Sequence, residues 1–251
     1  MFQRLVSPVK RPSWPGLSSQ CAVCRSWPAS QVCQPCISRF SPRPVRCTGC
    51  AQALPADLSM GTRTSLCMEC IRSPSPLGTM LVATSYAYPW SDLITRYKFG
   101  EQPGWAGFFA SLLMQSSGVS QALAGLDVRD LIIPMPLSAE RLQSRGFNQA
   151  WELARALVQQ SASPARADAR LLLRTRNTRP QTELKREARL ANVKGAFQID
   201  PLRLPELSGR RVVLVDDVVT SGASIFTAAR ALRAAGASSV TGIAIAKTDL
   251  A

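Results

Sequence analysis

The run Val212-Val213-Leu214-Val215-Asp216-Asp217-Val218-Val219-Thr220-Ser221-Gly222-Ala223-Ser224 opens on four consecutive apolar residues and closes on hydroxyls and a glycine. An unbroken apolar segment of this length reads as a strand buried on both faces, as in a parallel sheet. The strand delivers two adjacent carboxylates, Asp216 and Asp217, to its carboxyl end, where open α/β sheets bind their ligands. A short loop follows, and a helix is expected from Ser224 to Ala235, ending at Gly236. Unpaired N–H groups at that helix start, with the hydroxyls of Thr220, Ser221 and Ser224, form a cradle for an anion. An acid pair beside such a cradle suits a phosphorylated sugar: the carboxylates accept from ribose hydroxyls while the loop holds the 5′-phosphate. The pattern is neither a Walker loop nor a Gly-x-Gly-x-x-Gly fingerprint. The plain alternative is a βα turn with an aspartate as cap. Two consecutive acids at the end of a buried strand argue against it, because burying charge without a purpose is costly.

Outward from this stretch, apolar runs alternate with helical patterns. Strands are expected at Leu81–Tyr88, Leu131–Ile133, Ala169–Leu173, Arg211–Val215 and Ser239–Ala246. Helices are expected at Ser91–Phe99, Trp105–Gln115 and Asn148–Gln160, with Phe108, Phe109, Leu112 and Leu113 facing a core. This alternation predicts an α/β fold with a parallel sheet. The most apolar run, Leu131–Leu137, is too short to span a membrane and is broken by prolines.

The 8 cysteines are confined to the first 70 residues as four Cys-x-x-Cys pairs: Cys21/Cys24, Cys33/Cys36, Cys47/Cys50 and Cys67/Cys70. One such turn aims two sulfurs at a point, and two turns complete a tetrahedral zinc site. The expectation is two structural zinc ions. Sequence order pairs Cys21, Cys24, Cys33 and Cys36 at one, and Cys47, Cys50, Cys67 and Cys70 at the other; interleaved pairing remains open. A disulfide framework is the alternative, and the N-terminus lacks the apolar segment of a secretory signal. A cytoplasmic location follows as an expectation. The domain plan is an N-terminal extension over 1–20, a double zinc ribbon over 21–72, a Ser-Pro linker over 73–76 and a larger domain over 77–251.

The chain of 251 residues contains no histidine, which excludes Ser-His-Asp and Cys-His catalysis and imidazole metal ligands. Its formal net charge is +14. Residues 1–76 hold 9 basic and 2 acidic side chains and the other 175 residues hold 21 and 14, so the cysteine-rich part carries the denser net positive charge. Such a surface attracts nucleic acid, phosphates or an acidic partner without specifying which.

Residues 212–224 resemble the phosphoribosyl-pyrophosphate (PRPP) loop of type I phosphoribosyltransferases, with Ser221 where a second threonine is common. Further segments narrow the resemblance to the ComF/GntX family of competence-associated proteins. They are Tyr97–Gly100, Pro134–Leu137 with Arg141, Arg145–Gln149, and Arg174–Phe197 with Gln181, Leu184, Arg189 and Asn192. The resemblance implies that Asp216 and Asp217 hold the ribose hydroxyls and that Thr220, Ser221, Gly222, Ala223 and Ser224 hold the 5′-phosphate. It implies that Arg141 and Arg145 face the pyrophosphate, with Mg2+ accompanying PRPP. It also implies that the basic segment with Gln181, Lys185, Arg186 and Arg189 is a lid over the substrate. For function it implies a PRPP-binding protein of DNA uptake, engaging single-stranded DNA or a helicase partner. An active phosphoribosyltransferase of nucleotide metabolism and a PRPP-sensing regulator without catalysis are the alternatives.

Overall fold

The computed structural model describes residues 19–27, 29–55, 65–100, 102–175 and 195–249. The chain divides into two compact units, 1–40 and 41–251. The division falls between the two expected zinc sites, so the second set of cysteines belongs to the unit that holds the sheet.

In the first unit, Ser19 and Ala29 bridge two extended segments, and Cys33 and Cys36 flank the start of helix α1 (Gln34–Phe40). Val32 and Ile37 provide its small apolar interior.

The second unit is built on a five-stranded parallel sheet in the order β1-β7-β6-β2-β3. The strands are β1 (Thr79–Ser85), β2 (Leu131–Pro134), β3 (Arg166–Ala167), β6 (Arg211–Val219) and β7 (Ser239–Lys247). A separate antiparallel pair joins β4 (Leu172–Arg174) to β5 (Phe197–Ile199). The central strand runs four residues further than expected, because its ladder with β7 continues through Asp216↔Ala244 and Val219↔Lys247. The acid pair therefore stands on a paired strand rather than in a loop. At the opposite end Asp130 pairs with Arg211 at 2.6 Å and accepts that residue's backbone N–H at 2.9 Å, fixing β2 against β6.

Helix α2 (Met68–Arg72) precedes β1, and between β1 and β2 lie helices α3 (Trp90–Phe99), α4 (Trp105–Met114) and α5 (Ser117–Ala124); α5 was not expected from the sequence. Phe109, Leu112 and Leu113 are buried as anticipated, while Phe108 is half-buried and stacks on Trp90. After β2 come α6 (Ala139–Arg145), also unanticipated, and α7 (Gln149–Gln160). Asn148 is the cap of α7, accepting from the N–H groups of Ala150 and Trp151. A 3₁₀ helix (Pro201–Leu207) precedes β6, and α8 (Ala223–Ala234) links β6 to β7.

The connections set the site. The chain leaves β2 towards β3 on one side and leaves β6 towards β7 on the other. Adjacent strands whose connections diverge open a crevice beyond their carboxyl ends, the usual ligand position in such sheets.

The cysteines of each set lie with all four sulfurs within 4.8 Å of one another, paired in sequence order. We expect metal analysis of the purified protein to give about two zinc ions per chain, as two all-cysteine sites require. Cys70→Ser should remove one and lower the melting temperature of the sheet-bearing unit; two retained zincs would contradict this pairing.

Candidate functional site

The crevice between β2 and β6 has a volume of about 490 Å³. Asp216 and Asp217 line it from β6, Met135–Leu137 from the segment after β2, and Arg141 and Arg145 from α6. Thr220 and Ser224 close one end. The expected acid pair, both arginines and the two ends of the loop are thus brought together, whereas Ser221 is not among the lining residues. Gly222 lies just beyond, in a smaller recess shared with Asp216, Ala223 and Ser224.

Local sequence explains the loop. Gly222 caps α8 with φ of +80°, a conformation that side chains rarely adopt, and a Cβ there would strike the Phe226 ring at 2.6 Å. Ala223 N–H reaches Ser221 Oγ at 3.4 Å. The cap residue, a glycine, offers no side-chain acceptor, and no acid stands in the first turn of the helix. The positive end of the helix dipole is left facing the crevice rim, as anion binding requires.

The acids are surrounded by cations. Lys98 pairs with Asp217 at 2.9 Å, the two side chains only 18% and 13% exposed. Arg145 lies over the Phe99 ring at 4.8 Å and donates to Gln149 Oε1 at 3.0 Å. Buried Gln149 in turn donates to Lys98 O at 3.2 Å, and its carbonyl accepts the Tyr97 hydroxyl at 2.6 Å. One glutamine thereby orients both the arginine and the segment bearing the lysine. Arg174, at the end of β4, also lines the crevice and lies over the Phe197 ring at 5.5 Å. Sequence reasoning did not single out Lys98 or Gln149, although both lie in segments quoted for the resemblance. Arg174 was counted only with the basic segment.

Burial and the charge of Asp217 push the Asp216 carboxyl up to about 7. Burial depresses Arg145, and the nearby Asp217 charge opposes that depression. Burial, with the charges of Asp217 and Glu152, raises the Tyr97 phenol far above its usual range, so it acts as a donor and not as a base. The arrangement offers carboxylate acceptors on the floor, cations on the wall and a helix start at one end. The lid candidates Gln181, Lys185, Arg186 and Arg189 lie outside the described residues.

The cysteine clusters fit zinc. Burial opposes ionisation of Cys21, but N–H donors at Cys33, Cys24 and Val23 bring it down to about 6. Burial and the neighbouring sulfurs push Cys36 up to about 12. Cys50 is likewise pushed up to about 12, mainly by burial. Four sulfurs this close cannot all ionise unaided, and a central dication makes it possible. Among the described residues no helix is long and apolar enough to cross a membrane.

Residues 144–248 match the model of the phosphoribosyl transferase domain. The match includes Arg145, the acid pair and the loop. DNA utilization protein YhgH of Escherichia coli O6:H1 is 32% identical over 202 residues, 77% of this chain and 86% of that protein. Competence protein F of Haemophilus influenzae is 31% identical over 170 residues, 68% of this chain and 73% of that protein. Competence protein ComFC of Bacillus subtilis is 34% identical over 119 residues, 46% of this chain and 45% of that protein.

A raised aspartate binds a proton in the folded state over the range from 3.8 to about 7, where the unfolded chain has released it. Folding stability contributed by Asp216 therefore falls as pH rises through that window. Asp216→Asn should melt above the wild type at pH 8 and converge with it towards pH 4, the gap reading roughly 2–4 °C per kcal/mol relieved. A gap independent of pH would contradict the assignment.

Proposed function

The chain belongs to the ComF family, and from that premise we propose that it binds PRPP in the β2–β6 crevice and serves DNA utilization or competence. One observation carries the reading: the Asp216–Asp217 pair, Thr220 and Ser224 of the loop and the Arg141 and Arg145 side chains line one crevice at the carboxyl end of the sheet, with Gly222 and Ala223 in a smaller recess that shares Asp216, Thr220 and Ser224 with it. In this reading the carboxylates accept from the 2′- and 3′-hydroxyls of the ribose. Lys98 stands against Asp217 as its counter-charge. The N–H groups opening α8 take the 5′-phosphate. Arg141 and Arg145 face the pyrophosphate, where guanidinium forks match phosphate oxygens. Mg2+ fits here, since it is held by one or two carboxylates together with substrate phosphates, whose charge it neutralises.

A second reading, retained phosphoribosyl transfer, is favoured by the same cations. A nitrogen nucleophile would form a bond to ribose C1 as the C1–O bond to pyrophosphate breaks, its proton passing to solvent. Fixed charges around the departing group would supply the stabilisation. For the role in DNA utilization, the support is the names borne by the relatives and the net charge of +14. Binding of single-stranded DNA would then weaken steeply with salt, as phosphate contacts do.

Calorimetric titration of the zinc-loaded protein with PRPP and Mg2+, beside the Asp216→Asn/Asp217→Asn double variant, tests the reading. Binding by the wild type that falls at least about 100-fold in the variant is expected, because two sets of charged hydrogen bonds are lost. A folded wild type that does not bind PRPP would contradict it. Pyrophosphate release with an acceptor panel separates retained transfer from binding alone.

A further inference from the structure

Lys247 ends β7 and is 4% exposed, a depth that lysines seldom reach. It lies in register with Val219 on β6 and Ser85 on β1, at the same end of the sheet as the crevice. Its ammonium donates to the carbonyl oxygens of Thr220 at 2.8 Å and Thr248 at 2.5 Å. It also reaches Gln52 Oε1 at 3.5 Å, the long limit of a hydrogen bond. Thr248 N–H donates back to Val219 O at 2.9 Å. The first residue of the loop is therefore gripped from behind.

Gln52 stands in the turn that carries Cys47 and Cys50. Its carbonyl accepts Cys47 N–H at 2.8 Å. The same turn holds the residues just after Lys247: Arg46 Nη1 and Ala53 N–H donate to Asp249 Oδ1 at 2.9 and 3.1 Å. Arg46 also reaches Ser85 Oγ at 2.8 Å. Residues 247–249 thus connect the second cysteine turn to the loop, within one compact unit.

We propose that Lys247 is a positioning residue for the Thr220–Ser224 loop and that Gln52 makes the second zinc-binding turn part of the same brace. This rests on reading that loop as the seat of a 5′-phosphate. The physical ground is the peptide plane. In a trans peptide the C=O and the following N–H point in opposite directions. Locking the Thr220 carbonyl onto Lys247 therefore turns Ser221 N–H away from it, to the other side of the loop. A cation behind the loop also adds to the field that an anion meets at the helix start. Because zinc orders the turn and the phosphosugar orders the loop, each should raise the affinity for the other by the same factor.

The test uses the full, zinc-loaded chain with ribose 5-phosphate as probe and inorganic pyrophosphate as the control ligand for the arginine side. Lys247→Met should weaken ribose 5-phosphate about tenfold, within the usual range of coupling between sites, and leave pyrophosphate and zinc content unchanged. Lys247→Arg, which keeps charge and donors, should recover part of the loss. Gln52→Leu, at a half-buried position, should give a smaller loss in the same ligand alone, and it carries the test if Lys247→Met does not fold. Unchanged ribose 5-phosphate affinity, or equal loss of both ligands, would overturn the proposal. A folded wild type that binds no ribose 5-phosphate would overturn the phosphosugar reading itself, a result visible before any variant is compared.

Discussion

Two carboxylates held side by side at the end of a buried strand are the constraint on which the site depends. Asp216 and Asp217 cannot both ionise cheaply in that position. The protein answers with cations drawn from separate elements: Lys98 from α3, Arg141 and Arg145 from α6, and Arg174 from β4. Desolvation is only partly offset, and Asp216 stays raised to about 7. Such a cluster is a poor stability device, since apolar packing would serve better. Its cost is consistent with a site shaped for a ligand that brings both hydroxyls and negative charge.

The cations reach the acids because the sheet order places β2 beside β6 and sends their connections apart. The wall is then held by a glutamine. The Gln149 side-chain amide accepts from Arg145 and donates to Lys98 O, while its main-chain carbonyl accepts the Tyr97 hydroxyl, so α3, α6 and α7 meet at one buried residue. Behind the loop, Lys247 and the second cysteine turn do the corresponding work. The cluster at Cys47–Cys70 is packed into the unit that carries the crevice.

Much of this was legible in the residues. Val212–Val215 announced a central parallel strand, and the Cys-x-x-Cys pairs announced two four-sulfur clusters, because both signals are local and chemically specific. The end of β6 was not legible: acids and a hydroxyl loop look like a terminus, and only the ladder to β7 keeps Asp216–Val219 extended. Helix α6 was hidden because Pro134–Leu137 reads as a loop and its cap, Ser138, gives a weak signal; the cap and Gly146 at φ +74° define it only in three dimensions. The roles of Gln149 and Lys247 depend on partners 51 and 27 residues away, Lys98 and Thr220, so no window of sequence could reveal them. Lys247 in particular looks like the polar end of an apolar strand.

The central claim is that one crevice holds ribose, 5′-phosphate and pyrophosphate in assigned places. The most direct measurement is a crystal structure of the zinc-loaded protein with PRPP and Mg2+. The account predicts the 5′-phosphate against the N–H groups that open α8, the ribose hydroxyls on Asp216 and Asp217, and the pyrophosphate beside Arg141 and Arg145. Phosphate density elsewhere on the chain, with the Asp217–Lys98 pair undisturbed and the loop empty, would contradict it.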